Sequence, residues 1–498
     1  MSLSKRQLLS CCALFVIGST IAVAQKATNA PGALAPYSAE ASGPTPESAQ
    51  PSLGKINHVV IIFQENRSTD NLFHDPVLIN RGADIASTGL AGNTRVTLTP
   101  VPLVTDYDFN HSYISFLNTC DWNGSTCLMD GAINDACSPP SDCPPYAQYQ
   151  YVQQSDVQPY FTMAETYAFG DRMFQTNQGP SFPAHQYIIS GTSAVSTASP
   201  VYIAGIPFNN QEGSRSYAGC LAPATAVVYT IDTSMPFPNS TLGQIDGPEC
   251  LEHPTLTDLL DQAGLTWKYY TVSAGSIWSA PDVIEHMCQP LSKRGKTVCN
   301  GPDWTGANPK VVIEGTQAQI IKDVQGGQLP TVTWVIPDGQ ASDHAGMNKG
   351  FGPSWVASIV NAVGESSFWS DTAIIVTWDD WGGWYDHVSP PIRNSGPYKN
   401  SYEYGFRVPI IVISPYSKPQ YISHQQNDFG SILKFIEETF SLPQIDPEVG
   451  YADTYALGDL SDFFNFNQSP LHFTPIKTRY SKEYFLHNHA KPSPPDND

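Results

Sequence analysis

Residues 372–387 read TAIIVTWDDWGGWYDH, and the fold turns on how this stretch divides. Thr372 to Trp378 is an unbroken run of branched and aromatic residues, the composition of a strand buried on both faces. It ends in two aspartates, a glycine pair and an Asp-His. Three other runs share its composition and are bounded by turn formers: His58–Phe63, Thr331–Ile336 and Val408–Ser414. Between the second run and Thr372 lies SWVASIVNAVGES, where Val356, Ile359, Val360 and Val363 recur at helical spacing. Pro353 stands just ahead of that helix and Gly364 is placed to stop it. Strand, helix, strand predicts a parallel crossover unit and an α/β fold. Leu256–Ala263 and SILKFIEETF, residues 431–440, predict two further helices.

The 498-residue chain carries 25 basic and 46 acidic residues, net −21, a balance that repels nucleic acid and anionic membrane surfaces. At the N-terminus Lys5 and Arg6 precede an apolar stretch ending in Ala22-Val23-Ala24, the pattern of a cleavable secretory signal over residues 1–24. Cys11 precedes the apolar stretch instead of following it, which argues against lipidation. The expected product is secreted or periplasmic, and no later segment is apolar for long enough to cross a bilayer. Residues 25–53 read as a flexible leader rich in Pro, Ala and Ser, 54–445 as one folded domain, and 446–498 as a C-terminal extension whose last residues, KPSPPDND, are disordered. Between about Ile85 and Gln325 no hydrophobic period is visible, so loops and insertions over the central sheet are expected there. After signal removal eight cysteines remain, an even set suited to an oxidising compartment, with Cys120–Cys127 and Cys288–Cys299 favoured as local pairs.

Three of the four strands run into polar clusters at their C-terminal ends: Gln64-Glu65-Asn66, Asp338 with Asp343-His344 beyond it, and Asp379-Asp380. In open parallel sheets ligands sit outside those ends. If the strands are neighbours, Glu65, Asn66, His344, Asp379 and Asp380 converge. Several carboxylates that close repel one another where water is scarce, and one bound divalent cation resolves the conflict, its identity left open by the mixed ligand set. Taken singly, each cluster reads equally well as a strand cap or turn. Ser181, in QGPSFPAHQ, falls at the start of a predicted helix, where free N–H groups favour an anion. That placement suits a nucleophile, and it also suits a plain helix cap.

The segments HVVIIFQENRSTDNLF, QGPSFPAHQYIISGT, DGQASDHAG, VASIVNAVGESSFWSDTAIIVTWDDWGGWYDHVSPP and VPIIVISPYSK, in this order between about Asn57 and Pro443, resemble the bacterial phosphoesterase family. That family contains haemolytic and non-haemolytic phospholipases C and a metal-dependent acid phosphatase. The resemblance implies an alkaline-phosphatase-like three-layer α/β/α sandwich with a mainly parallel central sheet and long loop insertions, and it makes 54–445 the catalytic domain. It implies that Glu65, Asn66, Asp379 and Asp380 bind the metal, and that Ser181 is the nucleophile and also touches it. His344, His111 in DFNHSY and His286 in VIEHM fall where related enzymes bring histidines to the phosphate. The implied activity is hydrolysis of phosphate esters through a phosphoryl-enzyme, on phospholipid head groups or, alternatively, on small phosphomonoesters as a broad acid phosphatase. A non-enzymatic alternative is an exported metal- or glycan-binding protein on the same fold.

The chain departs from the family pattern in Ala184-His185, in Asn71 and in Asp428-Phe429-Gly430-Ser431, which bears on the substrate more than on the metal. Asp386-His387 is expected to support a metal ligand by hydrogen bonding. Trp378, Trp381, Trp384 and Tyr385 are expected to wall the site, though ordinary core packing accounts for them nearly as well.

Overall fold

A computed structural model describes residues 53–493, apart from 208–216, 224–225, 236, 239–241, 314–317, 394–401 and 489. The signal, nearly all of the leader, and the end of the tail lie outside the described residues. Nine strands build the main sheet. They are β1 (His58–Gln64), β2 (Ala168–Phe174), β3 (Trp267–Thr271), β4 (Val311–Ile313), β5 (Val332–Val335), β6 (Thr372–Trp378), β7 (Arg407–Ile413), β8 (Tyr421–Ser423) and β9 (Asn427–Asp428). The order is β4-β3-β5-β1-β6-β7-β2-β8, with β9 also paired to β2. Every pairing is parallel except those of β7, which runs against β6 and β2.

Successive side chains of a strand point to opposite faces, and every residue of β5, β6 and β7 is buried, so both faces of the sheet are covered. On one face Phe63 packs against His185 and Phe429, which belong to α3 (Ser181–Ser190) and α7 (Phe429–Phe440). On the other, Trp378 packs against Tyr160 of α2 (Gln154–Thr166). The result is the α/β/α sandwich, which also carries α1 (Tyr113–Cys120), α4 (Leu256–Gln262) and α5 (Gln319–Gln325). β5 and β6 are joined through α6 (Gly352–Gly364) and flank β1, so the predicted crossover is present with one strand between its arms. Gly364 is the last residue of α6, and it must be glycine because a Cβ there would lie 2.3 Å from the Phe473 ring.

The stretch expected to be loops supplies three strands of the sheet itself, β2, β3 and β4. Their sequences hide it. In AFGDRMF, Gly170 is required because a Cβ would lie 2.6 Å from Ile410 Cγ2, and Asp171 and Arg172 break the apolar run. In WKYYT, Lys268 is held by Asp323 at 2.6 Å. Beyond Pro443, Tyr451, Leu460, Phe463, Phe464, Phe473, Ile476 and Phe485 are buried in the same hydrophobic cluster as the sheet. Four disulfides, Cys120–Cys127, Cys137–Cys143, Cys220–Cys250 and Cys288–Cys299, use all eight cysteines, including both expected local pairs. Among the described residues no helix is long and apolar enough to cross a membrane.

Candidate active site

Because β5, β1 and β6 are parallel neighbours, their C-terminal ends lie side by side. The last registered pair is Gln64 with Trp378, so the next residues, Glu65-Asn66 and Asp379-Asp380, meet. Asn66 N–H donates to Asp379 Oδ1 at 2.8 Å, and Asn66 Nδ2 donates to Asp380 Oδ2 at 3.4 Å. Asn66 has φ 59°, the left-handed region that asparagine tolerates better than most residues. The glycine pair after the aspartates now has a reason. Gly382 and Gly383 have φ +60° and +71°, and a Cβ on them would lie 2.3 Å from the Asn66 carbonyl oxygen and 2.3 Å from Phe109 Cβ. Only a turn without side chains lets this loop close over Asn66.

Ser181 arrives from β2 through a loop containing Gly179, whose φ of +152° suits glycine. It is the first residue of α3 but does not cap it: Pro180 holds the cap position with no side-chain bond. The hydroxyl instead donates to Asp380 Oδ2 at 3.3 Å. The hydroxyl is not spent on a backbone N–H of the first helical turn, and it belongs to the acidic cluster.

His111 Nδ1–H donates to the Phe109 carbonyl at 2.8 Å, which leaves the Nε2 lone pair to accept from Asn66 Nδ2 at 2.9 Å. Its Nε2 is 4.0 Å from Asp380 Oδ2. His344 Nδ1 donates to the Ala345 carbonyl at 2.7 Å, and its ring centroid lies 5.5 Å from that of His111. These side chains are all buried. Burial first, and the neighbouring Asp379 second, push the Asp380 carboxyl well above the usual range, with His111 opposing.

His185, noted in the sequence only as a departure, is a member of this cluster. It stands four residues after Ser181, hence on the same helical face, and its Nε2 donates to Glu65 Oε1 at 3.1 Å. Burial holds its pKa down to about 4 against the charge of Asp379, so the ring is neutral at ordinary pH. The helical spacing from Ser181 was the signal that could have found it.

The donor set fits a divalent cation. One donor atom each from Glu65, His185 and Asp379 lie within 4.8 Å of one another. Asp379 Oδ2 and Asn66 Oδ1 are buried with no hydrogen-bond partner, a costly state that a cation relieves.

Two groups expected at the site make their hydrogen bonds elsewhere. His286 is not joined to the cluster: its Nδ1 is 2.9 Å from Glu252 Oε1 and its Nε2 3.3 Å from Asp258 Oδ1. Burial opposes its charge, but these two carboxylates outweigh burial and raise it to about 9. Asp386 and His387 do not bond to the cluster residues either. They form a second group with the buried Asp70 and Arg407 and with Asp84, whose side chain is partly exposed, as is that of His387. Of the four aromatics, Trp381 stands 6.3 Å from the His111 ring, while Trp378 Nε1 donates to Asp343 Oδ2 behind the cluster, Trp384 packs on Phe109 and Tyr385 on Tyr149. The remaining departures are structural: Asn71 donates to the Gln150 carbonyl, and Asp428 with Ser431 forms the capping box of α7.

Residues 56–443 match the Phosphoesterase family. The chain belongs to that family. By this membership it is a hydrolase acting on phosphoric ester bonds. It is similar to the hemolytic phospholipase C of Pseudomonas aeruginosa, 23% identical over 84% of this chain and 57% of that protein. It is also similar to phospholipase C A of Mycobacterium tuberculosis, 24% identical over 84% of this chain and 79% of that protein. The chain thus spans little more than half the length of the Pseudomonas relative. Among solved structures, a protein of the alkaline phosphatase superfamily from Vibrio parahaemolyticus is similar at TM-score 0.32 and 12% identity, over 82% of this chain and 71% of that one.

Proposed function

We propose that this member of the phosphoesterase family is an exported, metal-dependent enzyme of phospholipase C type that uses Ser181 as its nucleophile on phospholipid head-group esters. The observation that carries the reading is the 3.3 Å bond from Ser181 Oγ to Asp380, inside a buried group of Glu65, Asn66, His185 and Asp379. Glu65, Asn66, Asp379 and Asp380 would hold one divalent ion, with Ser181 beside it. When bound, that ion supplies Lewis-acid polarisation of a phosphoryl oxygen. Ser181 directs its proton at Asp380 Oδ2 and keeps an Oγ lone pair for phosphorus. The Oγ–P bond forms as the P–O bond to the leaving alcohol breaks, and the alcohol oxygen takes a proton. Water then cleaves the Oγ–P bond and Ser181 regains its proton. The proton that Ser181 gives up to Asp380 Oδ2 is the one the alcohol oxygen takes, and His111 and His344, each with Nδ1–H fixed on a backbone carbonyl, are placed to relay it, His111 by giving up the bond its Nε2 accepts from Asn66 Nδ2. The phospholipase half rests on the relatives' names, and export rests on the signal pattern and the four disulfides.

The test combines elemental analysis of the purified protein with a substrate panel. A divalent metal near stoichiometry is expected, with turnover of p-nitrophenylphosphorylcholine and phosphatidylcholine. Ser181→Ala is expected to lower kcat by at least about 10³-fold. Turnover of p-nitrophenyl phosphate alone rejects the lipid substrate in favour of a phosphomonoesterase. An unchanged Ser181→Ala enzyme rejects the nucleophile.

A further inference from the structure

The one strand that opposes its neighbours puts a cation where the others put carboxylates. In a parallel strand the first residue lies at the edge of the sheet remote from the site. β7 is antiparallel, so its first residue, Arg407, registers with Phe174, the last residue of β2, at the same edge as the C-terminal ends of β1 and β6. The Arg407 side chain is fully buried and makes four hydrogen bonds there. Nη2 donates to Asp70 Oδ1 at 2.9 Å, Nε to Asp386 Oδ2 at 3.1 Å, and Nη1 to the carbonyls of Asp84 at 2.7 Å and Asp171 at 2.9 Å.

Three of these acceptors lie on the segments that carry the site. Asp70 is four residues past Asn66, Asp386 six past Asp380, and Asp171 sits within β2, which leads to Ser181. The loops also lock directly: Asp70 N–H donates to Asp386 Oδ2 at 3.2 Å, His387 N–H to Asp70 Oδ2 at 2.8 Å, and Ser68 Oγ to the Tyr385 carbonyl at 2.7 Å.

We propose that Arg407 is a positioning residue of the active site, a single guanidinium that sets the spacing of the Glu65-Asn66 loop, the Asp379-Asp380 loop and the strand before Ser181. It rests on the reading that those residues form the metal and nucleophile site. A guanidinium suits the task because its planar fork reaches several acceptors in fixed directions, whereas a lysine ammonium is a point charge on a flexible stem. A buried ion pair is a poor source of net stability, and its better-attested use is to specify one arrangement among several. Here the arrangement specified is the distance between ligands that share one ion.

The decisive variant is Arg407→Lys, which keeps the charge and loses the fork, compared with Arg172→Lys. Arg172 pairs with Asp84 and Asp171 but touches neither Asp70 nor Asp386. Divalent-metal affinity is measured by calorimetric titration of the metal-free proteins, alongside their unfolding midpoints and kcat and KM on p-nitrophenylphosphorylcholine. Arg407→Lys is expected to lose roughly 10- to 100-fold in metal affinity and to lose kcat while KM holds; Arg172→Lys is expected to match the wild type. Wild-type affinity and kcat in Arg407→Lys overturn the proposal. If Arg407→Lys does not fold, Asp386→Asn decides, since it removes one acceptor and keeps the shape: weakened metal binding supports the clamp, unchanged binding overturns it. A wild-type protein that takes up no divalent ion overturns the site reading underneath, an outcome distinct from either.

Discussion

Burial opposes a positive charge on His387, yet the hydrogen bond and the charge of Asp70 outweigh it and hold the imidazolium to about 9. The ordinary value is 6.5, so the folded chain keeps this proton longer than the unfolded one. By linkage its contribution to stability is complete below about 6.5 and is lost as pH rises through about 9. Urea midpoints of the wild type are therefore expected to fall across that interval, and those of His387→Gln to fall less. Parallel profiles for the two proteins rule the assignment out. His185 is the opposite case, a ring that burial keeps neutral beside Glu65. Its identity was in plain view in the sequence, but its partner is a strand away, and only the packing of α3 over β1 joins them.

At the scale of elements, the turn after β6 shows how a backbone sets side-chain geometry. Gly382 needs both a left-handed φ and an absent Cβ, because Asn66 lies against it. Gly92 has a similar φ of +54° with nothing within 4 Å of a Cβ. Gly92→Ala is thus expected to cost only the conformational strain, roughly 1–2 kcal/mol. Gly382→Ala is expected to cost more, and to weaken metal binding as Asn66 is displaced. Urea unfolding and metal titration of the pair separate strain from contact: equal losses in both variants refute the close-approach account. The same loop explains why a strand rich in Ile and Val leads into charges. A buried strand delivers them to a fixed place, and the glycines close the loop behind them.

At the scale of the whole molecule, four disulfides brace loops lying outside the main sheet. Cys220–Cys250 spans 30 residues and Cys137–Cys143 spans 6. Loop-closure entropy gives roughly 3.6 kcal/mol for the longer and roughly 2.2 kcal/mol for the shorter. Serine replacement of each pair is expected to lower unfolding free energy in that order, as read from urea titrations. The reverse order places the effect in native packing instead of in the unfolded chain.

The sequence by itself determined the central strands, because β1, β5, β6 and β7 are buried on both faces and carry an apolar run that needs no partner to be read. It also marked the residues at their C-terminal ends, since carboxylates directly after such a run are chemically conspicuous, and the family motifs pointed to Ser181. It did not determine the outer strands β2 and β3, whose Asp171, Arg172 and Lys268 are made tolerable by partners distant in sequence. Nor did it separate His111, which Asn66 holds in the cluster, from His286, which Glu252 and Asp258 hold elsewhere. Only the tertiary structure decided those matters, as it decided that Arg407 stands at the site. A histidine or an arginine takes its role from the charges around it, and those charges are assembled by strand order and direction, which no local run of residues encodes.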